Sequence, residues 1–183
     1  MERTLRIAVS GTHGVGKSTL VETLSLRLPH HQIVEESYYV LDDAGYEFST
    51  PPSVDEFKLL FRHELKALRR RQQNVIFDRC PLDYLGYLFA LSEIDSFDLD
   101  RWQPTIRRAI GSLDLLVFIP VTPEADALIP RAAYQDLRSA VDDVLREIIL
   151  DDRFGFCGDV AILDLVGPVH SRAERVMNWL PSA

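Results

Sequence analysis

The eight residues Gly11-Thr-His-Gly-Val-Gly-Lys-Ser18 are the part of the chain whose types and spacing most directly imply chemistry. Glycines here let the backbone curl until successive N–H groups face one point, so an anion can be cradled with no side chain in the way. Lys17 adds a mobile positive charge and Ser18 a hydroxyl for a divalent cation. The run satisfies G-x-x-x-x-G-K-[ST] and reads as a cradle for a polyphosphate such as ATP with Mg²⁺. Gly11, Thr12, His13, Gly14, Val15, Gly16, Lys17 and Ser18 form the expected nucleotide-binding set, with Thr19 supporting the α-phosphate. His13 either faces the γ-phosphate or points to solvent.

Other candidates stand where strands should end. Asp78 closes the apolar run Val75-Ile-Phe-Asp78 and is expected, with Ser18, to hold Mg²⁺; the alternative is a carboxylate that caps the next turn. Arg79 follows it, and its planar fork suits phosphate oxygens, although a salt bridge to Asp78 or Glu35 would use the same charge. Glu35 is the expected acceptor of a proton from a substrate hydroxyl, with Glu36 the substitute if the preceding strand ends one residue later. Arg131 and Arg138 lie where a segment over about 122–140 could close as a lid, or else on a solvated helix face. Tyr38 and Tyr39 could stack on a planar substrate, whereas the helical spacing of Phe57 and Phe61 suits a core. Gly167-Pro168 is either a backbone bend around adenine or a simple turn.

These residues need a scaffold of alternating elements. Residues 5–9 read as a strand, 17–28 as a helix closed by Pro29, and 33–35 as a second strand. The Tyr- and Asp-rich stretch 37–52 has no steady period and reads as a loop or irregular helix. Ser53-Val-Asp-Glu56 is a capping box opening a helix to about Gln73, and 75–78 is a third strand. Helices follow over 81–92 and over 100–112, the latter interrupted at Pro104; a fourth strand covers 115–121. Leu137, Val141, Val144, Leu145 and Ile148 mark a further helix, ahead of a fifth strand at 160–166 and a closing helix at 171–180. Such alternation implies a mostly parallel sheet covered on both faces.

Composition bounds the partners. The chain has 183 residues, 46% of them hydrophobic, and a net charge of −8, which disfavours a surface built to follow nucleic-acid phosphates. The apolar run 113–121 is broken by Asp114 and Pro120, so neither export signal nor membrane span is expected. Cys80 and Cys157 lack metal-cluster or redox spacing, consistent with a cytoplasmic location. One domain over 1–183 is expected, with a homodimer left open.

The strand at 75–78 ends Asp-Arg rather than in the Asp-Glu of motor-type ATPases, and no Asn-Lys-x-Asp guanine reader occurs. Together, the phosphate loop, Glu35, Asp78-Arg79 and the late arginines resemble the nucleoside and nucleotide kinase group of P-loop proteins. Within that group, the chain is most similar to the AAA-type ATPase/kinase family related to the nicotinamide riboside kinase domain of a bacterial NAD regulator. Asp136-Leu-Arg138 stands in for that family's Asp-x-x-Arg lid element, one residue shorter. The resemblance implies a three-layer P-loop fold with strand order 2-3-1-4-5. It also implies Mg²⁺-dependent transfer of the γ-phosphoryl group of ATP to a small acceptor, a nucleoside or nucleotide among the candidates. Lys17, Glu35, Asp78, Arg79 and Arg138 are then the expected catalytic set. A regulatory ATPase that controls a partner is the alternative, the acidic stretch 36–48 being its docking loop.

Overall fold

The three central strands are short Val, Leu, Ile and Phe runs, as expected of strands covered on both faces. The computed structural model describes residues 4–124 and 135–180, and the elements follow the expected alternation. They are β1 (Arg6–Ser10), α1 (Lys17–Arg27), β2 (Gln32–Val34), α2 (Ser37–Asp43), α3 (Val54–Leu68), β3 (Val75–Asp78) and α4 (Pro81–Ala90). After a 3₁₀ turn at Ile94–Ser96 come α5 (Leu99–Ile110), β4 (Leu115–Phe118), α6 (Gln135–Ile149), β5 (Ala161–Asp164) and α7 (Val169–Trp179). The five strands pair in parallel in the order β2-β3-β1-β4-β5.

The period of two along each strand sends alternate side chains to two cores. Ala8, Val75, Phe77, Leu116 and Phe118 face a core completed by α3, α4, α5 and α6. Ile7, Val9, Ile76, Leu115 and Val117 face the opposite way, onto α1 and α7. Three layers result, and the carboxyl ends of β1 and β3 come together at Val9 and Asp78, which are register partners. The phosphate loop and the Asp78-Arg79 pair therefore share one edge.

Several boundaries differ from expectation. Strand β2 ends at Val34, paired with Phe77, so Glu35 lies one residue beyond the strand. Part of the stretch expected as loop folds as α2. The capping box forms, Ser53 Oγ accepting from the Glu56 amide at 3.3 Å and Glu56 accepting from the Ser53 amide at 2.6 Å. Helix α3 stops at Leu68 rather than near Gln73 because Arg6 of β1 donates to the carbonyls of Leu68, Arg70 and Gln72, drawing them out of helical pairing. Strand β4 stops at Phe118 and β5 spans only Ala161–Asp164, while Pro104 sits inside an uninterrupted α5. Cys80 and Cys157 are free, buried thiols. Arg131 and most of the expected lid segment lie outside the described residues. Among the described residues no helix is long and apolar enough to cross a membrane.

Candidate active site

Gly11 leaves β1 at φ 147°, and a Cβ there would stand 2.5 Å from the Ile119 carbonyl oxygen, so no other residue fits without moving β4. Gly16, at φ 87°, is the N-cap from which α1 begins at Lys17. Between them, the loop's carbonyls are held by four cations. Arg79 Nη1 donates to Gly11 O at 3.1 Å and Lys17 Nζ to Thr12 O at 2.7 Å. Arg138 Nε donates to His13 O at 2.9 Å, and Arg172 Nη1 to Val15 O at 2.8 Å. With its carbonyls engaged by cations, a loop of this glycine pattern offers its N–H groups to an anion, aided by the positive end of α1. A polyanion is what such a concavity stabilises.

Asp83 anchors the loop from below. One carboxylate oxygen accepts from Ser10 Oγ and from the Gly11 amide, both at 2.8 Å, and the other from the Cys80 amide at 2.9 Å. The side chain is fully buried, and burial raises its pKa against the lowering effect of Arg79 and Lys17. Asp83→Ala would strand these donors in the interior and should destabilise the fold by roughly 3 kcal/mol, read as a lowered midpoint in urea unfolding.

Lys17 is 5% exposed, and desolvation, followed by the nearby charge of Arg79, lowers its pKa to about 8. Burial raises the Asp78 pKa against the lowering effect of the nearby Ser18 hydroxyl and Lys17, and Asp78 Oδ1 is buried without a hydrogen-bond partner. An unsatisfied carboxylate oxygen beside a hydroxyl at the rim of a phosphate cradle fits Mg²⁺, which uses few protein ligands and fills its shell with phosphate oxygens and water. Arg79 follows at φ 85°, an uncommon conformation for a side chain this large. It carries the guanidinium back over the loop, where Nε lies 2.6 Å from Glu36 Oε1.

A cavity of about 470 Å³ opens from the loop. Its lining includes His13, Lys17, Ser18 and Thr19 of the loop and first turn, and Glu36, Arg79, Tyr38, Phe57, Tyr84 and Tyr87 from other elements. Here the two candidate glutamates separate. Glu35 is exposed and does not line the cavity, whereas Glu36 does and holds Arg79. Because β2 ends at Val34 and α2 begins at Ser37, the residue just before the helix, not the one after the strand, turns inward. Tyr38 and Tyr39 line the cavity as expected, and so does Phe57, which stacks flat on Tyr87 at 4.7 Å. Phe61 is core, edge-on to Phe97 and Trp102.

His13 is half-buried rather than in solvent. Its Nδ1 is 3.0 Å from Tyr87 Oη, and its amide donates to the same oxygen at 3.3 Å. Burial, then Arg79, Arg138 and Lys17, push its pKa down to about 4, so the ring is neutral at pH 7. Arg138, 1% exposed in the first turn of α6, sits on the loop backbone and not on a solvated face. Gly167 and Pro168 border a second cavity of about 410 Å³ behind the loop, with Gly14, Val15, Gly16 and Arg172.

The sequence reading missed Asp83, Arg172, Tyr84, Tyr87 and Glu64. Pro81 at the first turn of α4 with Asp83 two residues on is an N-terminal signal that could have singled out Asp83. The others carry no local signal, since each is one polar residue in an ordinary helix. Glu64, on α3, is fully buried and accepts from Ser37 Oγ at 2.5 Å, and burial raises its pKa to about 8. In the unfolded chain it ionises near the ordinary value of 4.5, so its contribution to stability is complete below that pH and is lost as pH rises toward 8. Glu64→Gln should remove this slope: the wild type should lose more thermal stability than the variant between pH 5 and pH 8, by about 2 kcal/mol.

The sequence model of the AAA domain matches residues 6–157. The chain belongs to that family. Its fold is similar to that of a deoxyadenosine kinase from M. mycoides solved with dCMP and dCDP, at TM-score 0.63 and 18% identity over 95% of this chain and 97% of that one. It is also similar to a NadR protein solved with NAD and AMP-PNP, at TM-score 0.64 and 20% identity over 96% of this chain and 49% of that one. A thymidylate kinase from Candida albicans aligns at TM-score 0.62 and 16% identity, over 96% and 90% of the two chains. No curated protein sequence matches the chain. The strand order 2-3-1-4-5 and the two helical layers are those of the P-loop kinase fold.

Proposed function

We propose that this AAA-family chain is a phosphotransferase that moves the γ-phosphoryl group of ATP to the hydroxyl of a small acceptor. The observation that carries this reading is Glu36, an acidic side chain 14% exposed, facing the same cavity as Lys17 and paired with Arg79 at 2.6 Å. Unlike Asp78, which adjoins Ser18 and suits a metal, Glu36 pairs with Arg79 and faces the cavity, where a carboxylate suits a hydroxyl that must lose a proton. The kinase names of the similar structures point the same way.

The step follows from the placement. The loop amides and Lys17 bind the β- and γ-phosphates of ATP. The acceptor, held against the aromatic lining, turns its hydroxyl toward Glu36; its oxygen forms a bond to the γ-phosphorus as the bond from phosphorus to the β,γ-bridging oxygen breaks, and ADP leaves. The hydroxyl proton passes to a Glu36 carboxylate oxygen. Arg79, fixed by Gly11 O and Glu36, places its charge beside the transferring group, while the buried arginines keep the loop preorganised. Ser18 and Asp78 would hold Mg²⁺, which when bound offsets charge on the phosphoryl oxygens.

The regulatory alternative rested on residues 36–48 as an outward docking loop. Glu36, Tyr38 and Tyr39 instead border the cavity, and Tyr38 stacks on Phe48 at 4.4 Å, so this segment favours substrate contact. ADP release by the purified chain with ATP and Mg²⁺ should be slow alone and rise at least tenfold with a suitable nucleoside or nucleotide; a rate indifferent to every acceptor would point back to the regulatory reading.

A further inference from the structure

Helix α4 touches the phosphate loop twice. Asp83 and Tyr87 stand four residues apart and so share a face of the helix. The first holds the Ser10 hydroxyl and the Gly11 amide, and the second meets the loop one turn further on. The Tyr87 hydroxyl oxygen accepts from the His13 amide at 3.3 Å and lies 3.0 Å from His13 Nδ1. Its ring is buried, lines the cavity and stacks on Phe57. Tyr87 therefore joins the aromatic lining, against which the acceptor rests, to the loop that holds the phosphates.

The same hydroxyl bears on which nitrogen of His13 carries the proton. With the amide already donating to it, the Tyr87 oxygen has one proton to give, and Nδ1 is its nearest acceptor, Thr12 Oγ1 lying at 3.5 Å. Thr12 Oγ1 is itself 3.4 Å from Nδ1. Two hydroxyls facing one ring nitrogen make that nitrogen the acceptor and leave the proton on Nε2. The ring is neutral at pH 7, through its burial and the cations Arg79, Arg138 and Lys17 around it, and so has one protonated nitrogen to place. Nε2 has no partner among the described residues, and the ring lines the cavity together with Lys17 and Ser18. The γ-phosphate is the end of ATP nearest the acceptor, and His13 is a loop side chain bonded to the acceptor's wall.

We infer that Tyr87 is a positioning residue for the γ-phosphate: its hydroxyl donates to His13 Nδ1, which leaves Nε2–H as an uncharged donor for a γ-phosphate oxygen. This rests on the phosphotransfer reading and deepens it, because ADP lacks the oxygen that Nε2–H meets; the contact is made before transfer and lost after it. Lys17 acts on the β- and γ-phosphates together, whereas His13, held by Tyr87, acts on the γ-phosphate alone.

Calorimetry of the full chain at pH 7 with AMP-PNP and with ADP, each with Mg²⁺, tests it. His13→Ala should weaken AMP-PNP about tenfold, as expected for one hydrogen bond to a charged group, and leave ADP within about twofold. Tyr87→Phe should show the same selective loss, and the two substitutions together no more than His13→Ala alone, since the tyrosine acts through the histidine. Nitrogen-15 spectra of the wild type, with the His13 signals identified by their absence in His13→Ala, should show Nε2 protonated and Nδ1 bare; thermal midpoints show that the variants are folded. A proton on Nδ1, a loss of ADP equal to that of AMP-PNP, no loss of either, or a Tyr87→Phe effect that adds to that of His13→Ala overturns the inference. Should Tyr87→Phe not fold, the wild-type spectrum and His13→Ala decide. Selective loss of AMP-PNP in a chain that phosphorylates no acceptor leaves this assignment standing and removes the phosphotransfer reading; an acceptor phosphorylated without the selective loss does the reverse.

Discussion

Lys17→Ala should lower kcat/KM for phosphotransfer by about a thousandfold, with the variant still folded. The side chain is nearly buried and donates to the carbonyl of Thr12, so truncation leaves one loop carbonyl unpaired and the strands untouched. What it removes is the cation that follows the β- and γ-phosphates as charge shifts toward the leaving oxygen. The pKa near 8 provides a second readout. Phosphate oxygens are partners for the protonated amine, so nucleotide binding should raise that pKa, and at pH 8 binding of ATP should take up a fraction of a proton. Calorimetry in buffers of different ionisation enthalpy measures that uptake; it should vanish in Lys17→Ala. Full activity in the variant would remove the loop lysine from the chemistry altogether.

Neighbouring glutamates provide the second large effect. Glu36→Gln should reduce kcat about 10²- to 10³-fold with a smaller change in acceptor KM, because the amide can still lie against Arg79 and the acceptor but cannot take a proton. Glu35→Gln should change neither constant by more than about twofold, as expected of an exposed side chain outside the cavity. Steady-state kinetics of the two variants, with thermal midpoints to show that both are folded, decides between them. A large loss in Glu35→Gln with none in Glu36→Gln would reverse the assignment.

The contrast between these residues shows where the sequence was legible. The strand, glycine loop and helix at 5–28 could be read because glycine, lysine and serine occupy fixed positions whose backbone consequences are local. Alternating apolar runs gave the layers and the parallel sheet, and the late elements fell within a few residues of their places. Glu35 and Glu36 could not be separated, because that required knowing that β2 stops against Phe77 and that α2 starts at Ser37, facts of pairing and not of composition. The end of α3 likewise depended on Arg6, which lies more than sixty positions away from the carbonyls it takes.

The same limit applies to the site. Arg172 reaches Val15 across 157 positions and Asp83 reaches Ser10 and Gly11 across more than 70, so neither can be recognised until the fold brings α7 and α4 against the loop. His13 was ambiguous for that reason: its partner, Tyr87, is 74 residues distant. Loop chemistry was written locally, while its supports and the acceptor wall were written in long-range contacts.

The claim on which all of this turns is transfer rather than hydrolysis, and it is tested most directly by following the γ-phosphate of labelled ATP with Mg²⁺ and a panel of nucleosides and nucleotides. The account predicts that label moves onto an acceptor in the wild type and that this movement falls at least a hundredfold in Glu36→Gln. Label released only as inorganic phosphate, at a rate that no acceptor alters and Glu36→Gln leaves unchanged, would contradict it.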